Sequence, residues 1–366
     1  MNRIIFFLGV LSFSSFLFAH DGDIHKDSSS TTVRTITNVA PNIYMIRHPD
    51  APDGFPQGNT TVIIGDREVL VVDACYLPSS AKQDIEQIQK WTSKPVRYLV
   101  NTHWHYDHTM GNGTYAEAFP GISIIAHHET KRIIQGYNPG WFARFPNRSA
   151  IFKSAIESGK DANGNKLSES DIRDYKKYLD GLTPVQEEFS KIKDRAPNLS
   201  FDHELTIDLG NREVQIKHLG RGNSAGDIIL YLPKEKIIVI GDLMDHPVPY
   251  LGSGFPGEQV ETLNKIAQLD ADTFIPGHGN VLTGKSYLFL LRDFLAEVVA
   301  AVRSEIEKVG NNPRLIDQVR ESVHKRVDFT AWKKRFVGDN KEDGDFFDSF
   351  SVQGVFNCAF NELVRK

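Results

Sequence analysis

Only two cysteines, Cys75 and Cys358, occur in the 366 residues of this chain. A disulfide-stapled scaffold and a thiolate-rich zinc site each need more, so both are excluded. The two could pair in an oxidising compartment, and a reduced, buried pair suits the sequence as well. An excess of one charge is also lacking: 42 Lys and Arg face 47 Asp and Glu, a formal net charge of −5. That balance gives no basic footprint for nucleic acid or an anionic membrane. No apolar run reaches the ~20 residues of a membrane-spanning helix, and no internal repeat is present.

What the chain does have is an ordinary globular composition, 40% apolar and 24% charged with 23 Phe. It suffices for one large domain or two small ones with a sizeable core. The start is set apart. Arg3, the apolar run Ile4 to Phe18 and the small Ala19 form the pattern of a secretory signal over residues 1–19. The mature chain is then expected to start near His20, behind a polar leader at 20–32, and to be exported to the periplasm or beyond. No cysteine lies near the cut to carry a lipid, and an uncleaved anchor is the alternative.

Strand-like and helix-like runs alternate from there. "TTVIIG" and "EVLVVDAC" flank a turn at Gly65-Asp66, and "SSAKQDIEQIQKW" repeats Ala81, Ile85 and Ile88 at helical spacing behind serines able to cap it. "VRYLV", "ISIIAH", "DIILYLP", "KIIVIGD" and "TFIPGHG" read as further strands, and "ELTIDLGNREVQIKHLG" as a hairpin about Gly210-Asn211. "HETKRIIQ" and "GEQVETLNKIAQL" read as helices. Residues 141–200 turn polar and helical and read as an insertion. From Lys285 on, apolar and charged residues alternate with helical period. The expectation is a layered α/β domain over 33–284, a helical insertion at about 141–200, and a C-terminal helical extension at 285–366 packed on the domain.

The stretch "NTHWHYDHTMGN" gathers His103, His105, Asp107 and His108 just past the strand "VRYLV". Ligands of α/β sheets lie outside the carboxyl ends of strands. Imidazole and carboxylate suit zinc or a similar first-row metal, and alternate residues of an extended segment point the same way. Three more segments end strands with glycine-rich, chemistry-bearing turns: "LGRGNSAGD", "VIGDLMD" and "IPGHG". With "VVDA" at Val71 to Ala74, these motifs in this order resemble the metallo-β-lactamase superfamily, over about Val62 to Gly279. The resemblance implies a four-layer αβ/βα sandwich with a metal site at one edge between the sheets. It also implies one or two zinc ions. His103 and His105 correspond to ligands of the first metal, Asp107, His108 and His278 to ligands of the second, and Asp242 to a bridging carboxylate. Asp73 corresponds to an aspartate that supports the histidine loop.

One position departs. The family pattern G-x-x-H-T-x-G-D has a histidine where this chain has Asn223. An amide oxygen is a poorer zinc donor than imidazole. The second position is therefore expected to fill first, with Asn223 ligating weakly or orienting substrate.

The expected chemistry follows from a divalent ion, which lowers the pKa of bound water and polarises a carbonyl. Hydroxide made at the metal attacks that carbonyl, Asp107 orients it and moves the proton, and Asn223 steadies the oxyanion. Export points to a β-lactam, another cyclic amide or a lactone. A glyoxalase II-like thioesterase or other esterase is the enzymatic alternative, and a non-catalytic metal-binding scaffold the non-enzymatic one. The partner expected is a small molecule, with no nucleic acid and no lasting membrane anchor; the sequence does not define an oligomeric state. Trp104, Tyr106, Tyr137, Trp141 and Phe142 are candidate substrate contacts, and "YLGSGFPG" a candidate mobile loop. Insertion and tail are expected to wall the site. His127 and His128 read as a helix start with solvent-facing rings. "DANGNKLSESD" falls short of a calcium loop, because the sixth-position glycine is absent and Ile172 holds the twelfth place.

Overall fold

The computed structural model describes residues 33–160 and 166–364, with side chains except those of 137–148, 170, 171 and 174. The signal-like segment, the leader and Asp161 to Asn165 lie outside the described residues.

Two mixed sheets organise the domain. The first comprises β1 (Thr35–Ala40), β2 (Ile43–Arg47), β3 (Thr60–Ile64), β4 (Val69–Val72), β5 (Val96–Val100), β6 (Ser123–His127) and β7 (Leu199–Phe201), in that spatial order. Strands β1 to β4 pair antiparallel, β1 with β2 and β3 with β4 through short turns and β2 with β3 across the longer link 48–59, and β4 to β7 pair parallel. Helices α1 (Pro78–Trp91), α2 (Tyr106–Thr109), α3 (Asn112–Ala118), α4 (His128–Ser158) and α5 (Glu169–Phe189) fill the crossovers between the parallel strands. The second sheet contains β8 (Glu204–Asp208), β9 (Glu213–Lys217), β10 (Ile229–Leu232), β11 (Ile237–Gly241), β12 (Thr273–Pro276) and β13 (Leu282–Thr283), again in order. Its one parallel pair, β11 with β12, is bridged by α6 (Pro256–Ala267). The tail continues as α7 (Ser286–Val309), α8 (Ile316–Arg326), α9 (Phe329–Val337), α10 (Lys341–Phe346) and α11 (Val352–Val364).

Three apolar clusters stack these elements into four layers. Met45, Ile63, Leu70 and Val100 of the first sheet meet Val214, Ile216, Leu230 and Val239 of the second between the sheets. Val62, Val71 and Leu99 face outward onto Ile85 and Ile88 of α1 and Tyr115 of α3. Ile238, Ile240 and Phe274 face outward onto Leu263 of α6 and the tail residues Leu291, Phe294, Val298, Phe356 and Phe360. Strands β3, β4, β10 and β11 are buried along their whole length. Their unbroken apolar runs follow from being covered on both faces. The result is the expected αβ/βα sandwich with a helical tail. Among the described residues no helix is long and apolar enough to cross a membrane.

Several local readings need correction. The serines do not cap α1: the helix opens with Pro78, and its end is capped from outside by Glu188 of α5, which accepts from Ser79 N (3.0 Å) and Oγ (2.8 Å). His127 is not solvent-facing. Its ring is 4% exposed, accepts from Glu129 N at the start of α4 and stacks on His218 at 4.2 Å; only His128 is half exposed. The loop "YLGSGFPG" is pinned rather than loose. Phe255 N donates to Gly222 O (2.6 Å), Arg221 covers the Phe255 ring, and Gly257 N donates to Glu362 Oε2 (2.8 Å). A Cβ on Gly254 would lie 2.6 Å from Gly222 O, so that glycine serves close approach. Cys75 and Cys358 are both buried and do not pair with each other; they lie in different clusters on opposite sides of the sandwich.

Candidate metal centre

The edge of the sandwich where β4, β5, β9, β11 and β12 end carries the chemistry. His103 and His105 lie in the extended link after β5, while Asp107 and His108 ride the single turn of α2. Asn223 lies on the turn before β10, Asp242 directly after β11 and His278 after β12. All seven candidate residues converge. His108 Nε2 lies 3.2 Å from His278 Nε2, 3.3 Å from Asp107 Oδ2 and 3.2 Å from Asp242 Oδ1. His278 Nε2 lies 2.8 Å from Asp107 Oδ2. On the other side, Asp242 Oδ2 faces His103 Nε2 at 3.1 Å, Asn223 Nδ2 at 3.5 Å and His105 Nδ1 at 3.7 Å. Asp242 thus lies between the two halves of the donor set, with Oδ1 toward His108 and Oδ2 nearest His103, Asn223, His105 and, at 3.9 Å, His278.

Neighbouring groups fix how the rings present themselves. Asp73 ends β4 with φ 59°, a left-handed conformation that aspartate tolerates better than most residues. There it accepts from Thr102 N (2.8 Å), Thr102 Oγ1 (2.8 Å) and His108 Nδ1 (2.9 Å). Since the one hydroxyl proton of Thr102 goes to Asp73, His103 Nδ1 is the donor in its 3.0 Å contact with Thr102 Oγ1. In the neutral form of both His103 and His108 the proton therefore sits on Nδ1, which leaves the Nε2 lone pair to face the centre. Gly58 lies flat on the opposite face of His108, where a Cβ would stand 2.3 Å from the ring. The glycine admits the imidazole.

The electrostatics match this crowding. Burial opposes charge on His108, yet Asp242, Asp107 and Asp73 hold its imidazole well above the usual histidine range. Burial likewise opposes ionisation of Asp242 and Asp107. His103, His108 and His278 hold Asp242 well below the carboxylate range, and His108 with His278 does the same for Asp107. His103 is pushed down by burial, an effect offset in part by Asp242.

Three overlapping groups, His103 with His108 and Asp242, Asp107 with His108 and His278, and Asp242 with Asp245 and His278, each bring their ligand atoms within 4.8 Å of one another. Buried imidazole lone pairs and carboxylates at this spacing fit a divalent cation, which neutralises them where water cannot. Asn223 is fully buried and its Oδ1 has no hydrogen-bond partner; its Nδ2 points inward, 3.4 Å from His105 Nδ1. The amide stands at the missing histidine's place as a donor, and turning it over would present oxygen.

Sequence reasoning missed two contributors. Asp245 joins the centre from the last place of "VIGDLMD", a motif in which only Asp242 was read as a ligand. Asp227 closes the Asn223 turn by accepting from Ser224 N and Oγ, both at 2.8 Å; the glycine-and-serine spacing of "GNSAGD" is its only signal. Of the candidate substrate contacts, Trp104 meets the His105 ring edge-on at 4.5 Å. Tyr106 is buried against Leu182, Val185 and Phe189 of α5, so it belongs to the packing that seats the insertion beside the centre.

A model of the metallo-beta-lactamase superfamily matches residues 53–278. A linear primary-alkylsulfatase of a Pseudomonas species is 22% identical over 295 residues, covering 75% of this chain and 52% of the relative. The alpha subunit of a 2,4-dinitroanisole O-demethylase from a Nocardioides species is 22% identical over 284 residues, covering 76% and 70%. The chain thus spans about half the length of the first of these relatives. Among solved structures, a stereoselective inverting sec-alkylsulfatase from Pseudomonas sp. superposes with a TM-score of 0.57 at 14% identity, over 89% of this chain and 50% of that one. A metallo-beta-lactamase from Pontibacter korlensis superposes with a TM-score of 0.52 at 15% identity, over 72% and 99%. These likenesses are of fold.

Proposed function

Because this chain belongs to the metallo-beta-lactamase superfamily, we propose that it is an exported, zinc-dependent hydrolase of a small cyclic amide or lactone. The observation that carries the reading is the place of Asp242, whose carboxylate lies 3.1 Å from His103, 3.2 Å from His108, 3.7 Å from His105 and 3.9 Å from His278. His103 and His105 would hold one ion, Asp107, His108 and His278 the other, and Asp242 would serve both. A bound divalent ion supplies activated water and a polarised carbonyl.

The remaining roles fall to the chain itself. Asp107, kept ionised by its imidazole neighbours, orients the attacking water and accepts its proton. Asn223 Nδ2 points inward as a neutral donor suited to charge developing on the carbonyl oxygen. Asp73 and Thr102 hold the rings in one tautomer. Export rests on the pattern of residues 1–19 and gives the enzyme a setting in which β-lactams are met.

A second reading is hydrolysis of another ester, including sulfate esters. It is favoured by the name of one relative that matches in sequence, an alkylsulfatase. One panel separates the two: the chain from His20 on, supplied with zinc, is given a chromogenic cephalosporin, a lactone, a thioester and an aryl sulfate. Turnover of the first two, abolished by chelator and by Asp107→Ala, supports the proposal. Turnover of the sulfate or thioester alone moves the assignment to the second reading. No turnover of any substrate by folded, metal-loaded protein would overturn both.

A further inference from the structure

Asp245 is a third carboxylate at the centre, beyond the ligand set derived from the motifs. It is 6% exposed, and its Oδ1 is buried without a hydrogen-bond partner. Its ligand oxygen lies within 4.8 Å of those of Asp242 and His278. The loop that carries it is built rather than incidental. Tyr287 of α7 places its hydroxyl 2.6 Å from Asp245 O and 2.9 Å from Pro247 O. His246 N donates to His278 O (3.2 Å), and a Cβ on Gly279 would stand 1.9 Å from His246 O. The Asp245 and His278 loops are therefore locked against each other.

Two buried carboxylates side by side are held by a shared proton or a shared cation. Here Asp242 already faces imidazoles as well, His103 Nε2 at 3.1 Å and His108 Nε2 at 3.2 Å, and its Oδ1, like that of Asp245, is buried without a hydrogen-bond partner. We propose that Asp245 is a ligand of the second metal position, making that position rich in oxygen and the first rich in imidazole. The inference rests on the metal-centre reading above. With Asp107, Asp242 and Asp245 beside His108 and His278, the second position offers three carboxylates and two imidazoles. Carboxylate oxygen suits manganese, whereas imidazole suits zinc. The centre would then take two different ions when both are offered, zinc beside His103 and His105 and manganese beside Asp245.

The test is metal binding by the chelator-treated full chain from His20 on, titrated with Mn²⁺ alone and with Zn²⁺ alone. Manganese is followed by the electron paramagnetic resonance of the free ion and zinc by elemental analysis after dialysis. The expected result is Mn²⁺ uptake at one position, weakened at least tenfold in Asp245→Asn, with one Zn²⁺ per chain retained by the variant. Equal Mn²⁺ affinity in wild type and variant overturns the role of Asp245 while leaving the centre standing. Uptake of neither ion by the folded wild type overturns the centre and this proposal together. Should the variant not fold, a crystal of the wild type with Mn²⁺ decides. An Asp245 oxygen in the coordination shell of the ion is ligation, and its absence from that shell refutes the proposal.

Discussion

His108 shows how much of the centre is set by residues that would not touch an ion. Asp73 holds its Nδ1, Gly58 makes room for its ring, and only Nε2 is left to face inward. Loss of such an orienting carboxylate lowers metal affinity about 10–100-fold. Asp73→Ala is expected to show that loss in competition with a chromophoric chelator, with the circular dichroism of the fold retained. Gly58→Ala should be at least as damaging, because its methyl needs the volume of the His108 ring. Asn223→His is expected to raise zinc content at the first position, read by elemental analysis at limiting zinc; unchanged content would mean the amide does not limit that site. The motif residues were legible because "HWHYDH" packs donors too densely for any packing role, and the glycines of "GRGNSAGD" and "IPGHG" flag backbone brought close to something. Asp245 was not legible. An aspartate three residues past Asp242 has no spacing that marks it, and only the lock between two loops turns it inward.

At the scale of elements, the hairpins and the buried strands could be read directly, since glycine turns and unbroken apolar runs are local properties. The pair β1 and β2 was missed because β1 is largely exposed and "TITNVA" carries no alternation. The start of α1 was misread because its cap comes from Glu188 of α5, far along the chain. A similar distant tie joins α1 to the strands: Asp84 is fully buried and accepts from Arg34 Nη2 and bonds His48 Nε2, each at 2.8 Å, while His48 Nδ1 reaches Gly58 O at 2.9 Å. Removing one partner from a buried pair leaves the others without compensation, at about 3–5 kcal/mol. Asp84→Ala is expected to lower stability by that order in urea unfolding. It should also loosen the Gly58 backbone and with it the seat of His108.

Across the whole molecule, the tail is part of the fold. Its helices share one apolar cluster with the outer face of the second sheet, and Tyr287 ties them to the Asp245 loop. A chain ending at Gly284 would expose that face and is expected to aggregate, as size-exclusion chromatography would show. Acid should weaken the molecule by a separate route. Burial, with His218 and His128 nearby, pushes His127 down to about 4. The unfolded chain, with a histidine pKa of about 6.5, then binds more protons than the folded one between those values. Stability therefore falls as pH drops from about 6.5 to about 4, and His127→Gln should flatten this part of the urea midpoint against pH.

The placement of Asp242 between two donor sets also bears on synthesis. His103, His105, Asp107 and His108 leave the ribosome long before Asn223, Asp242 and His278, and the first four hang on one short link until the second sheet closes over them. An ion caught early would be held by that link alone and easily lost to the surroundings. If the centre holds metal as proposed, lasting occupancy would need the finished chain, and metal content would then gauge completed folding in any preparation of this protein.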